Sequence, residues 1–521
     1  MKLLLLASTF LLSLSYLNAA QDSDGNEFIT SFPWYNEPNP DDIAITLNFV
    51  NNVPKKNRVT ISYWSVKQNI QISTNFILDP NAVMSYNLFF RDVVKDGLDL
   101  SKEATLIPDP RIIINSHYSM KVISRIYNQK TGLGDAEMIP QSDMAHSAYL
   151  VRLPAANPGG TQIIHILASN AKDALVTVYH TIDGEISNKY DLKVTSAVGS
   201  YQNVITNPSD PKRAHSFSIY SNKQIIVVGA VSRVNLIATG TNGVATIDSP
   251  TDYSYMHFYN SHFFDCTYAF FKGSEDHRMI TSEFTKSVYV TPPRTNGCIN
   301  YLPILVYSQL KPNDPTPINL KIFASSSLNL TPGSQGGTSS EYSYTPWIRF
   351  GGFRAPAPQT QLLSSFLHYV PETSQFIHGS VFFFTFTPNS YIEIYAKSIV
   401  DTTSFFLDGV VVDGTQFQSQ SNIPYFKAKY NVFTILVKNA GSHIFEVKQD
   451  NAKYIAYVTG YNVKGAGGSY GYVAGYNTNS LEVYTTNSGT DVPPVTTTKS
   501  GSKIEKSLFM ILFAFVFVKL L

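Results

Sequence analysis

The stretch Ala174-Leu175-Val176-Thr177-Val178-Tyr179 decides the fold. Its residues alternate, with Val176 and Val178 on one face, which is the period of a half-buried β-strand. Asp183-Gly184 follows, a dipeptide suited to a tight turn, and Tyr190 to Val194 resumes a strand, so the segment reads as a β-hairpin. Working outward, Phe382 to Thr387, Ser404 to Val412 and Val432 to Val437 behave in the same way, with Pro and Gly clusters between them. Helical periodicity is hard to find in the body of the chain. The expected fold is therefore all-β, with several tandem antiparallel β-sandwich-like modules between a terminal signal helix and a C-terminal apolar tail.

Composition agrees. The 521 residues are too many for one hydrophobic core, so three or four modules are expected. Charged residues make up 15% of the chain, below the usual quarter or so, while aromatics reach 13%, a bias that favours sheets. A net charge of +1 gives no electrostatic footprint for nucleic acid.

A segment that reads as strand, polar turn and more apolar strand recurs. It runs from Ile112 to Ile123, from Phe217 to Val228 and, more loosely, from Ile444 to Ile455. A Pro-marked turn leading to a short apolar strand also recurs, at Met138 to Val151 and at Tyr369 to Phe383. These spacings suggest four modules, over 21–130, 131–235, 236–345 and 346–480.

The two ends point to the secretory route. Lys2 precedes a mostly apolar run, Leu3 to Leu17, and Ala19 and Ala20 suit cleavage before Gln21, so 1–20 reads as a signal peptide; the alternative is an N-terminal membrane anchor. At the other end, Leu508 to Val518 is apolar but shorter than the roughly 20 residues of a spanning helix. Small residues at Ser500, Gly501 and Ser502, then a short polar spacer, precede it. That order is the pattern of a glycosylphosphatidylinositol (GPI) anchor, with Ser500 as the attachment residue and Ser488 or Gly489 as fallback. The alternative is a short C-terminal span. Residues 481–506 read as a Ser/Thr-rich stalk and 507–521 as the hydrophobic tail. Cys266 and Cys298 are the only cysteines and are expected to form one disulfide, the alternative being two buried thiols. One glycosylation sequon occurs, at Asn329-Leu330-Thr331, in a stretch that reads as an exposed loop.

The order of these segments resembles a known family. The Ile112 to Ile123 segment, the Pro-initiated Ile139 to Val151, the Ala174 to Val178 strand and Ser218 to Gly229 are similar to the N-terminal domain of IgG Fc-binding protein and its relatives. Phe406-Leu407-Asp408-Gly409-Val410, Gly441-Ser442-His443, Ile455 to Tyr461 and Ser469-Tyr470-Gly471-Tyr472 look like a strand-and-turn and the closing strands of that domain. The resemblance covers most of Asp41 to Tyr476. It implies an extracellular binding or adhesive role and supplies no catalytic residues. This chain has no Cys-rich von Willebrand-type module, so covalent mucus cross-linking is not implied, and Fc binding does not follow from the resemblance.

Few residues suggest chemistry. Gly467-Gly468-Ser469-Tyr470-Gly471 matches the nucleophile-elbow pattern, but no histidine follows Ser469 and the last one is His443. His257, His262 and Cys266 have the residue types of a metal site, but strand residues five apart face opposite ways. Asp22 to Glu27 resembles the start of a calcium loop whose twelfth position is Pro33, which offers no ligand. No P-loop or dinucleotide fingerprint occurs, and nothing singles out a pair of carboxylates for glycoside hydrolysis. No cofactor or metal is expected. Two Tyr-rich patches remain as ligand-binding candidates: Tyr253, Tyr255 and Tyr259 in the first, Tyr470 and Tyr472 in the second. The expectation is a non-enzymatic recognition or adhesion protein, secreted and held on the outer face of the plasma membrane. Its partners would be an extracellular protein or glycan and the membrane, not nucleic acid. The alternatives are a structural surface-coat component and a secreted hydrolase on a β scaffold.

Overall fold

A computed structural model describes residues 23–477, apart from 101, 170–171, 208–212, 237–250, 260–262, 265–275, 292–293, 296–300, 322–324, 332, 341–345, 355–361, 398–400, 427–429 and 463–466. The signal peptide, stalk, apolar tail, Ser500, His262, Cys266 and Cys298 lie outside the described residues. The described residues are 64% strand and 5% helix, so the all-β reading holds. Among the described residues no helix is long and apolar enough to cross a membrane.

The hairpin that set the fold forms as its sequence demands. Ala174–Ile182 pairs antiparallel with Glu185–Val194, and the turn residues Asp183 and Gly184 have φ of 53° and 84°. Two positive φ values in succession match the right-handed twist of the flanking strands, which explains why Asp-Gly stands there. Asp408-Gly409 repeats this geometry, at φ of 53° and 80°, between Phe405–Leu407 and Val410–Val411.

The recurring segment differs from its expected form. No turn interrupts Ile112 to Ile123 or Phe217 to Val228; each lies inside one long strand, Ile112–Asn128 of 17 residues and His215–Val234 of 20. The polar residues mark where the strand changes neighbours. The first half of Ile112–Asn128 pairs with Gly25–Thr30 and Asn57–Ser65, and its second half with Ile43–Val50 and Gly134–Met138. His215–Val234 likewise pairs first with Ala174–Ile182 and then with Gln162–Ala168 and Asp252–His257. In the third copy, Gly441–Val447 and Tyr454–Asn462 are separate strands in different sheets.

Strand pairing also crosses the expected module edges. Gly134–Met138 belongs to the first sheet, while Ala104–Ile107 and Asp252–His257 belong to the second. Gln162–Ala168 is buried at every position because it serves two cores. Ile163 and Leu167 pack with Phe28, Ile45 and Val59 of the first sheet, whereas Ile164 and Ile166 pack with the cluster that runs on to Trp347, Phe433 and Tyr472. The ends of the described chain meet. The Ser23 N–H donates to the Tyr476 carbonyl at 3.2 Å, and the Tyr476 N–H donates to Ser23 Oγ at 3.3 Å. Lys121, fully buried beside them, lies 3.1 Å from Asp24 and donates to the Ala474 carbonyl.

Candidate functional site

Four strands, Gly134–Met138, Asp252–His257, Leu362–Val370 and Gly468–Gly475, pack together where the sheets meet, and both Tyr-rich patches lie here. Asp252–His257 and Gly468–Gly475 are buried at every position, so alternation turns no residue outward. The binding role expected for Tyr253, Tyr255, Tyr259, Tyr470 and Tyr472 is therefore corrected: at 0–7% exposure none offers a surface. Their polar tips bond inside the protein, which is what lets a tyrosine fill a core. The Tyr253 hydroxyl donates to the Pro33 carbonyl at 2.9 Å and its ring stacks on Tyr35. The Tyr255 hydroxyl lies 2.5 Å from Ser124 Oγ, and Tyr259 stacks on Tyr369 at 4.2 Å. The Tyr472 hydroxyl accepts from the Phe384 N–H at 2.8 Å and donates to the Phe384 carbonyl at 2.6 Å, while Tyr470 accepts from the Phe386 N–H.

Carboxylates hold this junction. Asp135 Oδ2 accepts from the main-chain N–H groups of Tyr255, at 3.2 Å, and Leu367, at 3.0 Å. Asp252 Oδ1 accepts from Gly134 and Tyr253, both at 2.7 Å, and Oδ2 from Ser365 N–H and Ser364 Oγ. The His257 N–H donates to both oxygens of Glu137 at 2.7 Å, and Nδ1 of the same histidine lies 2.8 Å from Oε2. Each acid thus receives N–H groups that a neighbouring strand would otherwise take, and side chains join the sheets where ladders do not. Burial pushes Asp252 up to about 7 against the pull of its four donors, and pushes Asp135 and Glu137 upward too. A second buried charge lies nearby: Arg349 Nη1 is 2.6 Å from Glu393 Oε2, both fully buried, and Arg349 Nε donates to Thr285 Oγ1 at 2.7 Å.

These acids carry perturbed protonation, are buried, and their oxygens accept mainly from main-chain donors of neighbouring strands, so the arrangement joins the sheets. Ser469 is buried and lies within the Gly468–Gly475 strand, not on a strand-to-helix turn, so the elbow geometry is absent. His257 belongs to the junction. Among the described residues no three His, Cys, Asp or Glu side chains are grouped to hold a metal. A small pocket lined by Phe32, Trp34, Leu98, Pro108 and His165 has room for little more than a water, and burial pushes His165 down to about 3.

Among the exposed large apolar groups, three lie together on the hairpin of Tyr301–Ser308 and Lys311–Lys321. Tyr301, Pro303 and Leu305 share its outer face by the two-residue period, opposite Lys321, Asn319 and Pro317. Tyr301 is 54% exposed, Leu305 37%, and Leu310 at the turn 94%. Ile304 and Leu320 on the inner face are buried and fix the hairpin to the body. Asn329 and Thr331 of the sequon are exposed, with Asn329 ending the Ser326–Asn329 edge strand rather than lying in a loop. The sequence reading missed Asp135, Glu137 and Asp252. The signal was there: acids at alternate positions of Gly134–Met138, and an acid opening the apolar Asp252–His257 run. No protein-family model and no curated protein matches this chain.

Proposed function

We propose that the chain is a secreted, non-enzymatic recognition or adhesion protein, tethered to the outer face of the plasma membrane and binding an extracellular protein or glycan. The observation that carries this reading is the displayed hairpin, with Tyr301, Leu305 and Leu310 exposed side by side, where among the described residues Phe89 and Tyr201 are the other strongly exposed aromatics. Exposed apolar and aromatic groups ringed by polar ones are how surfaces engage partners. The exposed Asn329 suits a glycosylated surface protein. The resemblance to the IgG Fc-binding protein family points to the same class of role.

The test uses intact cells that display the full chain. Beads carrying extracellular-matrix glycoproteins, or fixed bacteria, should adhere to these cells and not to cells lacking the chain. Phosphatidylinositol-specific phospholipase C should release the protein and abolish adhesion together. Retention of the protein under conditions that release a known GPI-anchored protein would refute the anchor, and absence of adhesion to every probe would refute recognition of these surfaces.

A further inference from the structure

Sheet edges in this molecule are guarded unequally. Lys311–Lys321 is an edge strand with three prolines, and Glu185–Val194 is an edge strand with four charged residues. Both devices discourage pairing with another strand. Ile70–Leu78, Ile-Gln-Ile-Ser-Thr-Asn-Phe-Ile-Leu, has neither a charge nor a proline over nine residues. It pairs with Asn57–Ser65 through nine successive residues without a bulge and, among the described residues, has no strand on its other side. Its side chains are held in place. Phe76 packs against Phe49 and Tyr86 inside, and outside Ser73 Oγ meets Ser62 Oγ at 3.0 Å and Asn75 Oδ1 accepts from Thr60 at 2.5 Å. The strand is therefore a straight, preformed row of main-chain donors and acceptors. The other uncharged edge in this sheet, Val83–Phe89, is shorter and runs straight into the helical turn Phe90–Val93.

We propose that Ile70–Leu78 is a homodimerisation edge, on which a second copy of this chain pairs antiparallel about a two-fold axis at Thr74. The sequence is self-complementary in that register. Ile72 falls opposite the second copy's Phe76 on the inner face, twice by symmetry, a β-branched and aromatic pairing that favours sheets. Ser73 falls opposite Asn75 on the outer face, and Thr74 meets its own copy. No charge meets a like charge, as must hold for an edge that pairs with itself. A charged foreign strand would find no complementary partner here. The inference goes beyond the proposed recognition role and needs no ligand.

The experiment co-expresses two differently tagged copies of the full chain and measures how much of one is captured through the other in mild detergent. The register supplies two charge variants. S73K/N75K sets Lys against Lys twice across the axis, whereas S73K/N75E sets Lys against Glu twice. Both replace the partners of Ser62 and Thr60, and because the two variants can differ in stability within one chain, capture is compared only between variants whose urea unfolding shows each to be folded. Wild-type copies should capture each other. S73K/N75K should lower capture by about tenfold, and S73K/N75E should restore it to within about twofold of wild type. Three results would overturn the proposal: no capture of wild type, capture of S73K/N75K at the wild-type level, or equal loss in both variants.

Discussion

The Asp252–His257 strand and the Tyr301–Lys321 hairpin are both rich in aromatic and apolar residues, yet the first is sealed and the second displayed. The difference lies in what surrounds each. Asp252–His257 pairs with His215–Val234 and packs against Gly134–Met138 and Leu362–Val370, and the N–H groups of Tyr253, Tyr255 and His257 go to carboxylates, so its tyrosines have no direction but inward. In the hairpin, Tyr301 to Leu305 face only Lys311–Lys321 on one side, because the next strand, Gln335–Ser340, pairs from Leu305 onward. Aromatic content alone therefore does not decide exposure; the number of sheets that close over a strand does.

Removing a buried charge should break the sealed region most severely. Glu393→Gln leaves the Arg349 guanidinium buried without its counter-charge, and a loss of about 3–5 kcal/mol is expected in urea unfolding. Asp252→Asn comes next: its amide cannot accept on both sides, so a main-chain N–H or the Ser364 hydroxyl is left unmet, at about 1–3 kcal/mol.

The same variant sharpens the account through pH. Asp252, raised from 3.8 to about 7, holds in the folded state a proton that the unfolded chain releases. Its contribution is complete below the lower value and is lost as pH rises through the higher one. The advantage of wild type over D252N in melting temperature should therefore be larger at about pH 5 than at about pH 8. His165, lowered from 6.5 to about 3, works in the opposite sense: its contribution is present above the ordinary value and is lost as pH falls through the lower one, in both proteins alike. Smaller still, Tyr472→Phe removes the hydroxyl that bonds both main-chain groups of Phe384 and should cost about 1–2 kcal/mol in the same urea titration.

Much of the fold was legible in local chemistry. Asp183-Gly184 specifies a hairpin turn in any context, and the alternation around Val176 and Val178 needs only one buried face. What was not legible is non-local. Ser116 and Ser221 look like turn residues, yet the strands run on through them, because each strand exchanges one set of neighbours for another at that point. The tyrosines looked like surface groups because their strands carry Ser and Gly. In the folded chain Gly468 and Gly471 instead admit close neighbours: a Cβ on Gly468 would lie 1.8 Å from the Gly132 carbonyl, and one on Gly471 would strike the Phe366 ring. The displayed Leu310 gave no local signal, since exposure there depends on how far the hairpin extends beyond the strand that supports it.

The smallest expected effect on stability belongs to the displayed region, and it gives the most direct test. Y301S/L305S/L310S replaces three exposed or half-exposed side chains, so each change should cost no more than about 1 kcal/mol of stability. On cells that display equal amounts of protein, this variant should lose adhesion to the matrix-glycoprotein or bacterial probe that wild type binds, while Tyr472→Phe should keep it. Adhesion by the triple variant at the wild-type level would contradict the account and move recognition away from the hairpin.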